Sequence, residues 1–137
     1  MSGAEDPQEG EQYHLEVTDG DVADSVLLPG DPGRVETILD CWDDGDVVAD
    51  HREYRTATGT VDDAPISVTS TGIGSPGAAI AVEELARVGA DTLIRVGSCG
   101  AIQPETDVGD LIITSGAVRQ EGTSDEYIRE DYPAVAD

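Results

Sequence analysis

The chain contains no lysine and no phenylalanine, and it has only two cysteines among its 137 residues. Its seven basic residues, all of them arginine, are outnumbered by thirty acidic ones, which gives a formal charge of −23. So few cations cannot form a basic face for a nucleic-acid backbone, which excludes nucleic acid as a partner. Cys41 and Cys99 form no CxxC pair and have no histidine at metal-ligand spacing. This pattern argues against a disulfide framework and against a metal site.

Long apolar runs are missing as well. The longest candidate, residues 78–82, is far too short to span a bilayer. The first residues have neither the basic nor the apolar stretch of a signal peptide. We therefore expect a cytoplasmic protein with no membrane partner. The acidic excess is typical of a halophilic surface, because at 1 M salt a Debye length of about 3 Å leaves anionic ligands little repelled.

Short apolar segments alternate with helical ones along the chain. We predict strands at residues 25–28, 52–61, 66–71, 92–96 and 111–114, and helices that begin after Asp31 and at residue 78. This alternation predicts an α/β fold with a mixed central β-sheet. In the second helix the spacing places Val82 and Leu85 on the buried face and Glu83 and Glu84 on the exposed one.

Two regions are expected from the composition. Residues 1–12 are polar and acidic and are predicted to form a flexible tail, whereas residues 13–137 form the folded domain. No helix follows the predicted strand at 111–114, so the fold is expected to be truncated.

One apolar strand carries a lone arginine, Arg95, and ends in Gly97-Ser98-Cys99-Gly100. Such a strand would deliver a guanidinium, a hydroxyl and free backbone N–H groups to one point, which suits phosphate. The alternative is an ion pair between Arg95 and one of the many carboxylates.

A second glycine-containing loop, Pro29-Gly30-Asp31-Pro32-Gly33-Arg34, lies between a predicted strand and a predicted helix. Glycine permits close backbone approach, and Arg34 falls in the first helical turn, as in a phosphate cradle. The alternative is that the Pro-Gly pairs only form ordinary turns and bind no ligand. The loop lacks Gly-Lys-Ser/Thr, so it is not a Walker A loop.

Residues 72–77 match G-x-G-x-x-G, which invites a dinucleotide-binding interpretation. That interpretation needs an acidic residue at the end of the next strand, where this chain has Arg95. Pro76 also removes a backbone N–H from the turn. We therefore favour tight packing between strand and helix. His14 and His51 have no nucleophile at an interpretable spacing, so a hydrolytic triad is not indicated.

Six segments combine these motifs in a fixed order. They are Leu28-Pro29-Gly30-Asp31-Pro32-Gly33-Arg34, His51-Arg52-Glu53-Tyr54, Ser70-Thr71-Gly72-Ile73-Gly74, Ala81-Val82-Glu83-Glu84-Leu85, Arg95-Val96-Gly97-Ser98-Cys99-Gly100-Ala101 and Tyr132-Pro133-Ala134-Val135-Ala136-Asp137. From about Tyr13 to the last residue the chain resembles the N-terminal half of the nucleoside phosphorylases, in the group of uridine phosphorylase and hexameric purine nucleoside phosphorylase. The resemblance implies a three-layer fold of the phosphorylase/hydrolase type. It also implies phosphorolysis of a nucleoside, in which uridine and phosphate give uracil and ribose 1-phosphate.

The resemblance also implies roles for individual residues. Those that match phosphate-binding positions are Gly30, Arg34, Arg52, Arg95 and Ser98. Among these, Arg95 and Ser98 are expected to be catalytic, and Arg52 would come from a neighbouring subunit.

Substrate contacts are implied in the same way. His14 matches the histidine that a neighbouring subunit directs at the ribose 5′-hydroxyl, and Cys99 and Gly100 match backbone positions that line the base pocket. The implied assembly is a homo-oligomer, a hexamer built from dimers, with shared active sites.

No cofactor and no metal ligand is expected, since phosphate is a co-substrate. Glu53 and the backbone of Ile73 fall where some relatives hold a monovalent cation. Gly77 departs from that pattern, because it stands at a serine position of those relatives.

The sequence alone leaves the substrate base open, because the family's base-selecting residues lie in the half that this chain does not contain. Residues 100–104 and 133–137 resemble uridine phosphorylases, whereas Ser98-Cys99 resembles the purine enzymes. We favour uridine over a purine nucleoside. Two further possibilities are a nucleosidase of the same fold, which would not need three phosphate arginines, and a catalytically inactive fragment.

Overall fold

The computed structural model describes residues 10–136. Their contacts divide the chain into two units, and the division falls between residues 97 and 98. Residues 1–9 of the predicted tail lie outside the described residues. Of the remaining tail residues, Gly10 lies in a turn, and the N–H of Gln12 donates to Val17 O at 2.9 Å.

The first unit is a five-stranded mixed sheet with two helices. Its elements are β1 (Ser25–Leu28), α1 (Gly33–Leu39), β2 (Asp44–His51), β3 (Tyr54–Val61), β4 (Ala64–Thr69), α2 (Ser75–Arg87) and β5 (Thr92–Arg95). The strand order is β2-β3-β4-β1-β5, in which β1 pairs parallel with β4 and β5, and β2, β3 and β4 form an antiparallel meander. The α/β fold with a mixed sheet is confirmed.

Alternate residues of β1 face the two helices. Val26 and Leu28 belong to a buried cluster that includes Leu85 of α2, whereas Leu27 packs against a cluster that contains Val35 of α1. Because successive side chains of a strand point to opposite faces, the two helices cover opposite sides of the sheet. The unit therefore has three layers, as expected.

Hydroxyl groups occupy the interior of the sheet where β3 and β4 pair. Thr56 and Thr69 are both fully buried, and their Oγ1 atoms lie 3.0 Å apart. Thr58 Oγ1 lies 2.7 Å from Ser67 Oγ and donates to Asp21 O at 2.7 Å. These polar atoms pair with one another, which removes the cost of leaving them unsatisfied.

Strand β2 differs from the element that the sequence predicts. The sequence pattern predicts no strand between residues 28 and 52. Instead β2 covers Asp44–His51, and Arg52 and Glu53 form the turn into β3. As an edge strand, β2 exposes many of its polar side chains to solvent, so it lacks an apolar alternation.

Helix α2 begins three residues before the predicted start and ends before Gly89, which has a φ of +100°. The predicted helix face is partly wrong. Glu84 is only 5% exposed, whereas Val82 is 40% exposed. The cause is a set of hydrogen bonds to the carboxylate of Glu84, described below.

The second unit contains a short antiparallel pair, β6 (Gly116–Ala117) with β7 (Ala134–Val135), and a 3₁₀ turn at Thr123–Glu126. The predicted strand at 111–114 is wrong. Leu111 and Ile113 are more than four-fifths exposed, and no strand pairing within residues 98–136 includes them. A β-branched run without a pairing partner does not form a strand.

Arg119 organises this second unit. Its guanidinium donates to Ser124 Oγ at 2.9 Å, to Asp125 Oδ1 at 2.7 Å and to the carbonyl oxygens of Ile128 and Tyr132 at 2.9 and 3.2 Å. Of the helices within residues 10–136, none has the length and apolar character needed to cross a bilayer.

Candidate functional site

The three parallel strands end at one edge of the sheet. Leu28, Thr69 and Arg95 are the last residues of β1, β4 and β5. The N–H of Thr71 donates to Pro29 O at 2.9 Å, which ties together the loops that follow β1 and β4. In open α/β sheets, ligands bind beyond the carboxyl ends of the strands. This edge is therefore the candidate site.

Arg95 lies at this edge with its side chain folded over the backbone. Its Nη1 donates to Leu28 O at 3.2 Å and also to Val96 O. A Cβ atom built on Gly30 would lie 3.2 Å from Nη2 of Arg95, and one on Gly97 would lie 2.8 Å from Nη1. Glycine at both positions is what lets the guanidinium approach the backbone.

The hydrogen-bond partners of Arg95 bear on the two interpretations of its segment. Within residues 10–136 they are carbonyl oxygens and not carboxylates, which is compatible with an anion site and gives no support to a structural ion pair. Because carbonyl oxygens carry no full charge, the guanidinium charge remains available for an anion.

Arg34 lies on the same loop as Gly30, in the first turn of α1. Its N–H donates to Asp31 O at 3.0 Å. The capping position of α1 is Pro32, and Asp31 Oδ1 accepts the N–H of Gly33 at 2.9 Å.

Arg52 reaches the same edge from another direction. Because β3 runs antiparallel to β4, the turn before β3 lies beside the end of β4. A Cβ atom on Gly72 would lie 2.8 Å from Cγ of Glu53, so this turn packs on the loop after β4. Arg52 has a φ of +57°, a left-handed conformation that is costly for a residue with a side chain.

Ser98, Cys99 and Gly100 belong to the second unit. All three are exposed. Their roles in binding phosphate and lining the base pocket stay predictions.

His14 is held by a carboxylate that helical periodicity assigns to the wrong face of α2. Its Nδ1 lies 2.6 Å from Oε1 of Glu84, and the Oε2 atom of Glu84 accepts the N–H groups of His14 and Leu15 at 3.1 and 3.0 Å. The Glu84 side chain is 6% exposed and that of His14 is 31% exposed. The signal for Glu84 in the sequence is weak, because two adjacent glutamates on a helix ordinarily indicate a solvated face.

A second histidine supports the same segment. His51 Nδ1 lies 3.0 Å from His14 O and 3.3 Å from Oε1 of Glu16. The ring of Tyr54 contacts that of His14 edge to face, with 6.4 Å between centroids. The backbone around His14 is thus fixed to α2 through Glu84 and to the end of β2 through His51.

Tyr54 links this region to the first turn of α2. It is 1% exposed, and its hydroxyl donates to Gly77 O at 3.2 Å. Burial raises the pKa of the Tyr54 hydroxyl above its ordinary value, and the charges of Glu53 and Glu84 raise it further, against a lowering effect of Arg52.

The residues at the implied cation position do not fit a cation site. Gly77 supplies no hydroxyl, and a Cβ atom there would lie only 2.8 Å from Thr71 O. A serine at this position would force the loop to move. Within residues 10–136 no cluster of histidine, cysteine, aspartate or glutamate could hold a metal ion.

Comparison with known proteins identifies the family of these features. A family profile described as "Phosphorylase superfamily" matches residues 24–137. The chain is 63% identical over 136 residues to a uridine phosphorylase of Thermococcus kodakarensis, a match that covers 98% of the chain and 49% of the relative. It is 50% identical over 126 residues to a guanosine phosphorylase of Halorubrum lacusprofundi, a match that covers 92% of the chain and 52% of the relative.

A solved structure gives the same result for the fold. The crystal structure of a uridine phosphorylase from Vibrio fischeri matches with a TM-score of 0.88 and 44% identity, over 93% of this chain and 53% of that one. The chain therefore spans about half the length of the relatives that it matches.

Proposed function

The chain belongs to the phosphorylase superfamily, and from this premise we propose that it forms the phosphate-binding half of a nucleoside phosphorylase. Uridine is the proposed nucleoside. The proposed enzyme is a pentosyltransferase, and its reaction serves nucleoside catabolism and salvage.

The proposed reaction transfers a ribosyl group from a base to phosphate. An oxygen of hydrogen phosphate attacks C1′ and forms the new C–O bond while the bond between C1′ and N1 breaks. The electron pair of that bond leaves with the base, and the proton carried by the phosphate reaches uracil through solvent. Ribose 1-phosphate and uracil are the products. The protein must hold the phosphate, brace the ribose and stabilise charge in the transition state.

The observation that carries the proposal is the position of the Arg95 guanidinium against Gly30. The guanidinium is a cation at the carboxyl edge of the parallel strands, and among the described residues its hydrogen bonds go to Leu28 O and Val96 O and not to an acidic side chain. A phosphate at this edge would receive charge-assisted hydrogen bonds, each worth roughly 1.5–3 kcal/mol.

The other residues take their proposed roles around that phosphate. Arg34 and Ser98 would donate to it within the subunit, and Arg52 would come from a neighbouring one. The left-handed backbone of Arg52 supports this role, because strained residues cluster at functional sites. His14 would contact the ribose from the neighbour, and Cys99 and Gly100 would line the base pocket. These roles require a homo-oligomer, for which a dimer-built hexamer is the proposed form.

One comparison favours a second candidate substrate. The Halorubrum relative is named a guanosine phosphorylase and is 50% identical to this chain. A purine nucleoside is therefore the alternative, while the 63% identity to the Thermococcus uridine phosphorylase supports uridine.

We further propose a cytoplasmic, high-salt setting and no cofactor besides the co-substrate phosphate. The charge of −23 supports the high-salt setting, since screening is strong there. An activity that rises as KCl is added up to multimolar concentration would agree with this setting, and loss of activity over the same titration would contradict it.

The test of function is release of free base with and without phosphate. Uridine, inosine and guanosine are each supplied to this chain and to any longer form encoded with it, and both the base and ribose 1-phosphate are quantified. We expect phosphate-dependent release of uracil. Equal cleavage without phosphate would indicate a nucleosidase, and activity in the longer form only would identify the 137-residue chain as an inactive fragment.

A further inference from the structure

Glu84 makes a set of contacts that the proposed reaction has not used. Its two oxygens receive three donors: the N–H groups of His14 and Leu15 go to Oε2, and the His14 ring nitrogen Nδ1 lies at Oε1. An ionised carboxylate only accepts hydrogen bonds, so the ring atom at 2.6 Å must carry the proton. The neutral His14 ring is therefore the Nδ1–H tautomer, and Nε2 keeps its lone pair.

We propose that Glu84 is a positioning residue that sets the tautomer and orientation of His14, so that Nε2 accepts a hydrogen bond from the nucleoside 5′-hydroxyl. This inference rests on the proposed function, which supplies the ribose. Glu84 does not touch substrate, because Oε1 and Oε2 are already engaged and its side chain is 6% exposed. A carboxylate or carbonyl behind a functional histidine commonly fixes its tautomer in this way.

The local contacts fix the position of the His14 ring as well as its tautomer. The N–H of His14 and its Nδ1 are both tied to Glu84, and the carbonyl of the same residue contacts Nδ1 of His51 at 3.0 Å. Leu15 is fully buried in the same cluster as Leu85 of α2, so the segment cannot shift along the helix without losing core contacts.

Glu84→Gln tests the inference because it keeps the shape and changes the donor pattern. The amide oxygen must face the N–H groups of His14 and Leu15, which turns the amide NH₂ toward Nδ1 of His14. The ring then moves its proton to Nε2 and presents a donor to the ribose in place of an acceptor. The matched control is Glu83→Gln, since Glu83 pairs with Arg87 at 3.2 Å on the exposed side of the helix.

The kinetic probe is 5′-amino-5′-deoxyuridine, whose ammonium group only donates, compared with 5′-deoxyuridine, which has no polar group at that carbon. For the wild-type protein we expect kcat/KM to favour the amino compound about tenfold, as for one charge-assisted hydrogen bond. In Glu84→Gln we expect the ratio to fall to about one or below, with the KM for phosphate unchanged within about twofold. Glu83→Gln should keep the wild-type ratio.

The tautomer is measured independently on the wild-type protein, so the test survives a Glu84 variant that does not fold. In ¹⁵N-histidine spectra the His14 signal, identified by its loss in His14→Asn, should show Nδ1–H. An Nε2–H tautomer, or an unchanged amino-to-deoxy ratio in active Glu84→Gln, overturns the positioning role alone. Absence of phosphorolysis both in this chain and in any longer form encoded with it overturns the proposed function and, with it, the role toward ribose.

Discussion

Glu84 and His14 are 70 positions apart in the sequence, yet Oε1 of the first lies 2.6 Å from Nδ1 of the second. The contact joins the segment before β1 to the buried face of α2. It also explains why a glutamate lies among the core residues of that helix.

Replacing Glu84 with alanine should destabilise the first unit strongly. The N–H groups of His14 and Leu15 would lose their acceptor in a buried position, at a cost of about 2–4 kcal/mol in the free energy of unfolding. Glu83→Ala, one position earlier and 44% exposed, should change it by less than about 0.5 kcal/mol. Urea unfolding measures both variants. Equal effects of the two substitutions would contradict a structural role for the contact.

Arg95→Ala should impair the use of phosphate. Loss of one or two charge-assisted hydrogen bonds predicts a fall in kcat/KM for phosphate of roughly ten- to hundredfold or more. Arg87→Ala is the control, because the Arg87 side chain is exposed and forms its ion pair with Glu83 of the same helix. Steady-state kinetics with varied phosphate measures both variants. An Arg95→Ala enzyme with wild-type phosphate kinetics would remove the main support for the site.

Substitutions of Arg52 separate the effect of its backbone conformation on stability from the effect of its side chain on phosphate binding. Its φ of +57° costs an alanine about 1–2 kcal/mol and a glycine almost nothing. Arg52→Gly should therefore be more stable than Arg52→Ala by about 1 kcal/mol, while both lose phosphate affinity equally. Thermal unfolding and phosphate kinetics give the two values. A glycine variant no more stable than the alanine variant would show that the left-handed backbone carries no strain.

The proposed exchange of Arg52 between subunits has its own consequence. Mixing Arg52→Ala with Arg95→Ala should restore a fraction of active sites. In a mixed interface, the Arg52→Ala subunit supplies Arg95 and the Arg95→Ala subunit supplies Arg52. The measurement is activity after the two impaired variants are refolded together. Verified mixed oligomers that are no more active than the single variants would show that the site is not shared.

Tyr54 predicts how stability depends on alkaline pH. Its pKa is raised in the folded protein above the ordinary 10.0, mainly by burial. At pH values below 10.0 the full contribution of Tyr54 to the free energy of unfolding is present. As pH rises above it the unfolded chain loses its tyrosine proton first, so the free energy of unfolding declines until pH passes the folded pKa. Tyr54→Phe should flatten this decline, as followed by urea unfolding at a series of alkaline pH values.

Local sequence pattern determines part of the fold. The bounds of β1 follow from a short apolar run, and the structure confirms them. Strand β2 could not be predicted, since an edge strand needs no apolar alternation when backbone hydrogen bonds to β3 hold it. The run at 111–114 fails for the opposite reason, because strand propensity without a pairing partner is not sufficient.

The candidate site, like the fold, could be predicted from the sequence only in part. Gly30 and Arg95 could be predicted to meet, since both lie at the ends of neighbouring parallel strands. Glu84 could not be assigned, because its partners come from a segment 70 positions away and carry no local signature. In the sequence, Glu84 falls with Glu83 on the face expected to be exposed, so no local signal marks it as buried.

The paired hydroxyls of Thr56 with Thr69 and of Thr58 with Ser67 lock the alignment of two neighbouring strands. A shift of β3 by a single position would turn these side chains to the other face and leave several polar atoms in an apolar interior. Misaligned pairing of β3 with β4 is therefore penalised by the burial of unpaired hydroxyl groups. The turn that carries Arg52, directly before β3, therefore depends for its position on these hydroxyl pairs inside the sheet.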